Sequence, residues 1–290
     1  MIRKTNRLHL HKSWAGAGFG VMLLAGCTLV MAGCVTSPAS ETRDSSFPAA
    51  GSLSLTVDSF NGKIEISKST GNVVAVHAVL RDATRINYSA VQNGNRIIVT
   101  AAGINEWLPF FGWHGADIQV SIPSASTIDL KTSNGQILVD GMESNGTLQS
   151  SNGGVTLQNV NGKFTADTTN GRIQVSNFNG SGNFKTSNGG VGLENVAGDF
   201  IVSTTNGGIA FNGQLADGGQ NRLTTSNGGV SVTLNGTPGV NLEAYTSNGK
   251  INCLLPILSQ QSTSTHLSGT IGAGGADLYV KTSNGNVTVK

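Results

Sequence analysis

The sequence predicts an all-β protein folded as a single stack, a β-solenoid resembling a parallel β-helix, with two-sided coils of about 18 residues. Three observations predict it. A Thr/Ser-Asn-Gly sequence returns eight times in the second half, with asparagines at Asn134, Asn152, Asn170, Asn188, Asn206, Asn227, Asn248 and Asn284. Their spacings are 18, 18, 18, 18, 21, 21 and 36 residues, the mark of stacked structural repeats. Apolar residues also fall in fixed columns. Three residues after each asparagine stand Ile137, Val155, Ile173, Val191, Ile209, Val230, Ile251 and Val287; two further on stand Val139, Leu157, Val175, Leu193, Phe211, Val232, Cys253 and Val289. Polar residues lie between these columns, which is the alternation of a strand with one buried face.

Within a coil, Gly162 before Phe164 and Ala166, and Gly198 before Phe200 and Val202, mark a second, weaker half. A coil therefore reads as two nine-residue strands joined by two Gly-containing turns. Asn-Gly also suits hairpins, and a meander is the structural alternative, but the columns of like residues favour stacking. In a stack, side-chain amides hydrogen-bond from coil to coil, and the glycine after each asparagine takes a corner that a Cβ would obstruct. The asparagine ladder reads as structural. The interval of 36 residues implies a copy overwritten by another segment, leaving an irregular insertion at 254–275.

The elements follow in order. Arg3, Lys4, Arg7 and Lys12 precede the apolar run Ala15 to Gly33, the layout of a secretory signal. Leu24-Ala25-Gly26-Cys27 and Met31-Ala32-Gly33-Cys34 both resemble the bacterial lipobox, where cleavage leaves a lipid-bearing cysteine. Cys34 is preferred, with Cys27 as the alternative, so the signal spans 1–33 or 1–26. The alternative is an uncleaved membrane anchor. Neither cysteine is followed by an acidic residue, which resembles outer-membrane lipoproteins if the organism has that membrane. A polar tether follows at 34–51, then N-terminal β coils or a cap at 52–127, then the repeats at 128–290. The cap contains Trp107-Leu108-Pro109-Phe110-Phe111-Gly112-Trp113. Trp107, Phe110, Phe111 and Trp113 are expected either to plug the open core or to contact a partner or membrane. The final coil ends the chain at Lys290, so its edge is expected to be open for a second copy or a partner, unless 254–275 folds over it.

Composition narrows the function. The formal charge of +2 comes from the leader; without its four basic residues, acids slightly outnumber bases. With no basic stripe and no basic-aromatic interleaving, nucleic acid is not an expected partner. Once Cys34 carries lipid, Cys253 has no partner for an intramolecular disulfide and reads as a core thiol.

With these features in view, the chain resembles the bacterial DUF4097 family from about Leu53 to Lys290. The resemblance rests on Phe60-Asn61-Gly62-Lys63-Ile64 and on Ile118-Gln119-Val120-Ser121-Ile122-Pro123 leading into Leu130-Lys131-Thr132-Ser133-Asn134-Gly135. It closes with Gly269-Thr270-Ile271-Gly272-Ala273-Gly274-Gly275 before the last Ser-Asn-Gly. It implies a β-solenoid in the cell envelope, in a family whose adhesin label is itself inferred and which brings no catalytic set.

A direct search for chemistry finds no phosphate loop, no Cys-x-x-Cys and no His-Glu-x-x-His. His77, His114 and His266 are far apart, and Asp140, Asp167, Glu194, Asp199, Asp217 and Glu243 share no column. Gly272 to Asp277 bears only a faint likeness to a calcium-binding nonapeptide, present once, and no metal or cofactor is expected. The reading is a non-catalytic, lipid-anchored scaffold binding a glycan or an envelope protein. Ser133, Ser151, Thr169, Ser187, Thr205, Ser226, Ser247 and Ser283 form an outward hydroxyl ladder on it. The alternative is a structural or regulatory envelope protein that self-associates or pairs with a stress-signalling partner; a carbohydrate-active enzyme comes third.

Overall fold

The computed structural model describes residues 40–49, 51–104, 114–123 and 126–290. Cys27, Cys34, Trp107, Phe110, Phe111 and Trp113 lie outside them. Among the described residues, no helix is long and apolar enough to cross a membrane.

The chain begins with β1 (Ser40–Pro48), β2 (Ser54–Ser59), β3 (Ile64–Lys68) and β4 (Val73–Arg81). A 3-10 turn (Ala83–Arg85) leads to β5 (Ile86–Asn93), β6 (Arg96–Gly103) and β7 (Gly115–Ile122). Next come β8 (Thr127–Thr132), β9 (Ile137–Asp140) and β10 (Asn145–Ser150). Three 14-residue strands, β11 (Val155–Thr168), β12 (Ile173–Thr186) and β13 (Val191–Thr204), form the middle. The rest is β14 (Ile209–Leu215), β15 (Gln220–Asn227), β16 (Val230–Leu234), β17 (Val240–Asn248), β18 (Ile251–Cys253), β19 (Ile257–Ser262), β20 (His266–Ile271), β21 (Ala276–Asn284) and β22 (Val287–Val289).

The residues before and after each Ser-Asn-Gly corner build two walls of one stack. The first wall runs β5-β6-β2-β8-β10, the second halves of β11, β12 and β13, then β15-β21-β17-β20-β19. The second runs β1-β4-β7-β3-β9, the first halves of β11, β12 and β13, then β14-β16-β22-β18. Pairing is parallel throughout the stack and antiparallel only for β1, β4, β5, β19 and β20, which lie at its ends.

The core is the predicted set of columns. Val155, Leu157, Ile173, Val175, Val191, Leu193, Ile209 and Phe211 are all buried, each above its counterpart in the next coil. Phe164, Phe178, Phe184, Phe200 and Phe211 fill the interior, with neighbouring ring centroids 5.6–6.2 Å apart. Edge-to-face contacts of this kind add to simple burial. The second corner does not break the strand. Asn159, Asn177 and Asn195 take left-handed φ of 51–53°, so each strand bends there without ending. One left-handed residue shifts the alternation by one, so Leu157 and Val160 both point inward. Asparagine is among the few residues that adopt this conformation readily.

The Ser-Asn-Gly corner holds by close contact. Its glycines do not have positive φ; a Cβ on Gly189 would drive into the backbone carbonyl of Gly171 in the coil beside it, and the other corners repeat the pattern. Two residues before each asparagine stands a buried hydroxyl: Thr132, Ser150, Thr168, Thr186, Thr204, Thr225, Thr246 or Thr282. Thr186 is representative. Its hydroxyl donates to the Gly171 carbonyl at 2.8 Å and accepts from the Gly189 N–H at 3.2 Å. Thr132, Ser150 and Thr168 make the same pair of bonds, while Thr204, Thr225, Thr246 and Thr282 donate to a glycine carbonyl of the neighbouring coil.

The ends differ from the sequence reading. Coil β2–β3 sits between β6–β7 and β8–β9, although those two are consecutive in the chain. Coil β21–β22 likewise sits between β15–β16 and β17–β18. The interval of 36 residues is spanned by β19 and β20, which form an antiparallel hairpin within the expected insertion, and β20 lies along β17. The expectation of an open edge on the final coil is therefore corrected. Val287 and Val289 are fully buried, and β22 has a neighbour on each side. The anticipated cover over that end exists, but it lies over β17. The N-terminal region is corrected too: part of the expected tether, Ser40–Pro48, is strand β1 against β4. Inserting each terminal coil supplies backbone partners on both edges, which a coil at the end of a stack lacks. Cys253 is half-buried, with its thiol pKa raised chiefly by burial.

Candidate binding face

The eight asparagines form one ladder, in spatial order Asn134, Asn152, Asn170, Asn188, Asn206, Asn227, Asn284 and Asn248. Every link is a side-chain amide donating to the preceding side-chain carbonyl, at 2.6–2.9 Å. Position in space, not in sequence, sets this order. The outward Ser and Thr column runs beside it, with Ser133, Ser151, Thr169 and Thr205 exposed. A second ladder joins Asp140, Asn159, Asn177 and Asn195 at 2.7–2.9 Å. The repeat of asparagine seven places after the corner asparagine was its sequence signal. Because these amides bond to one another, both ladders belong to the scaffold.

The richest outward surface lies on the first wall, toward the end closed by β19. Register brings three rows together there. In one, Ile201, Arg222, Tyr279, Glu243 and Ser268 stand side by side on β13, β15, β21, β17 and β20. In the next, Gln220, Asp277, Asn241, Thr270 and Leu258 do so. In the third, Lys281, Tyr245 and His266 are neighbours. The first two rows border a groove of about 680 Å³ that crosses the strands and reaches Gln260 on β19.

Its banks are held from within. The Arg222 guanidinium lies 4.3 Å from the centroid of the Tyr279 ring, a cation–π contact. Tyr245 stacks on His266 with centroids 4.2 Å apart and tilts toward Tyr279 at 5.8 Å. The Tyr245 hydroxyl donates to Glu243 Oε1 at 2.5 Å, and that bond is the main cause of its raised pKa. Asn241 donates to Asp277 at 3.0 Å. Beneath the groove, buried Asn221 accepts from the Phe200 N–H and donates to the Asp277 carbonyl, tying three strands together. The groove thus offers amides, two carboxylates, one guanidinium and the border of an aromatic ring, with Ile201, Leu242 and Leu278 also in its wall.

The other singled-out residues do not converge. His77 pairs with Asp44 at 2.7 Å on the β1–β4 surface, His114 lies against Phe60, and His266 belongs to the aromatic stack. Of the acids, Asp140 serves the second ladder and Glu243 serves Tyr245. Among the described residues, no three His, Cys, Asp or Glu side chains are grouped to hold a metal ion. Sequence reading missed the groove, because its residues come from four separate coils and a hairpin and align only through the inserted β21.

Comparison with known proteins bears on the fold. A family model described as Toastrack DUF4097 matches residues 53–290. No curated protein matches the chain. Among solved structures, a proposed lipid-binding protein from Parabacteroides distasonis is 16% identical, with 87% of this chain and 97% of that one covered and a TM-score of 0.49. A proposed adhesin from Bacteroides fragilis is 11% identical, with 87% and 99% covered and a TM-score of 0.34.

Proposed function

The chain belongs to the Toastrack DUF4097 family, and from that premise we propose that it is a non-catalytic, lipid-anchored envelope scaffold whose outer groove binds an extended glycan. The groove carries this reading. Amides, carboxylates and a guanidinium at fixed spacing suit paired hydroxyls, each of which both donates and accepts. Its mixed charge does not select a strongly anionic ligand.

The anchoring half of the proposal rests on connectivity. Cys34 is six residues before Ser40, so a lipid there is held within about 20 Å of β1 by chain length alone. Arg81 pairs with Ser40 on one side and Gly115 on the other. The segment bearing Trp107, Phe110, Phe111 and Trp113 rejoins the fold at Gly115, two strands from the start of β1. Tryptophan-rich segments favour the membrane interface, and one lipid chain holds poorly without a second contact. We therefore assign this segment to the membrane. The groove begins at Ile201 on β13, six strand spacings from β6 and roughly 29 Å up the stack, where it is clear of the bilayer.

The test is a glycan array probed with the detergent-solubilised full chain. Binding of one saccharide class is expected, with at least a tenfold loss in Arg222→Ala and Asn241→Ala at unchanged melting temperature. No bound saccharide, or groove variants that bind like the wild type, would overturn the assignment.

A further inference from the structure

The two ends of the stack finish differently. At one, the outermost strand of the second wall is β1, which carries Glu41, Arg43 and Asp44 and closes on Pro48. Charges and proline on an edge discourage strand addition. At the other, the outermost strand of the first wall is β19, which pairs with β20 along one edge and with nothing described along the other. No Asp, Glu, Lys or Arg occurs between Lys250 and Asp277. Leu254 and Leu258 flank and occupy this edge at 63% and 80% exposure, more than any other large apolar side chain among the described residues.

We propose that β19 pairs antiparallel with β19 of a second copy, joining two stacks end to end. A second copy is the occupant that the charge pattern fits. Two-fold pairing sets each edge against its own image, and an uncharged strand has nothing to repel itself there. The axis relating antiparallel strands stands normal to the sheet, so outer face continues into outer face and core into core. Leu258, which lies in register with Thr270 beside the groove, then packs near the axis. Gln260 closes the groove at β19, so pairing brings the two grooves together as one channel spanning both copies. The bulge between Ser259 and Gln261 keeps the paired segment short. Both β19 edges are consumed by the pairing, so this contact joins two copies and no more.

The experiment uses the full chain in its own membrane, with a photo-crosslinking amino acid at Leu258 and, as control, at Thr42 on β1. Leu258 should yield a product of twice the chain mass, and Thr42 none. Sedimentation of the detergent-solubilised chain should show association weakened at least tenfold by Leu258→Lys with Gln260→Lys, and equally by Leu258→Glu with Gln260→Glu. Both residues are exposed, so melting should be unaffected. Mixing the lysine and glutamate variants should restore a pair. A product of any other mass, no product at Leu258, or no recovery on mixing overturns the proposal. No ligand is used, so the result is separate from the fate of the glycan reading.

Discussion

Thr186 shows how much a single residue of the repeat does. Its hydroxyl is buried, donates to one coil and accepts from another. Thr186→Val keeps the shape but leaves the Gly189 N–H and the Gly171 carbonyl without that partner. The expected loss is about 1–3 kcal/mol by chemical denaturation. The next residue, Ser187, faces outward, and Ser187→Ala should stay within about 0.5 kcal/mol. Equal effects would mean that the hydroxyl column does not hold the corner. The core columns give a sharper contrast: Leu193→Asp places an uncompensated carboxylate where exposure is 2%, at a cost of several kcal/mol. The facing of these columns was legible in the sequence because alternation reports it directly. The hydroxyl column was present too, at the first place of Thr-Ser-Asn-Gly, but a polar residue in an inward column reads as a turn residue until the opposing carbonyl is seen.

At the scale of elements, the inserted coils decide the behaviour of both ends. Deleting residues 276–290 removes β21 and β22 and leaves β15 and β17 separated by roughly 10 Å, two strand spacings, with unpaired edges facing each other. Hydrogen exchange should then show protection lost across residues 240–271 as well as at the deletion, because β17 has lost its parallel neighbour. If residues 240–271 stay protected, β21 is not the element that docks them. Val289→Asp should act the same way and destabilise the fold, whereas a strand on an open edge would have tolerated it. Insertion also gives the ends many long-range contacts, so they should fold later than β11 to β13. Corner-to-corner spacing could not reveal this arrangement. Like-sequence coils present the same backbone edges, so one corner spacing is compatible with several stacking orders.

For the whole molecule, the reading places the anchor at one end of the stack and the ligand groove toward the other. Mass spectrometry of the protein taken from its membrane should find a mature N-terminus at Cys34 or Cys27 carrying lipid. An unmodified terminus, or retained Met1, would remove the anchored half of the proposal. Replacing Trp107 and Trp113 by Ser should weaken vesicle binding of the delipidated chain and leave saccharide binding unchanged; joint loss of both would show that the two ends are not independent.

The sequence by itself determined the fold class, the coil period, the buried columns and the asparagine ladder. All of these are local periodicities that repeat from coil to coil, and repetition makes a weak signal readable. The tertiary structure alone decided the order of the coils, the covering of β17 by β20, and the meeting of Arg222, Tyr279, Glu243 and Asn241 in one groove. Those depend on which edges pair across tens of residues, and backbone hydrogen bonds between like strands carry almost no sequence signature. That choice is a property of the assembled chain rather than of any segment in it.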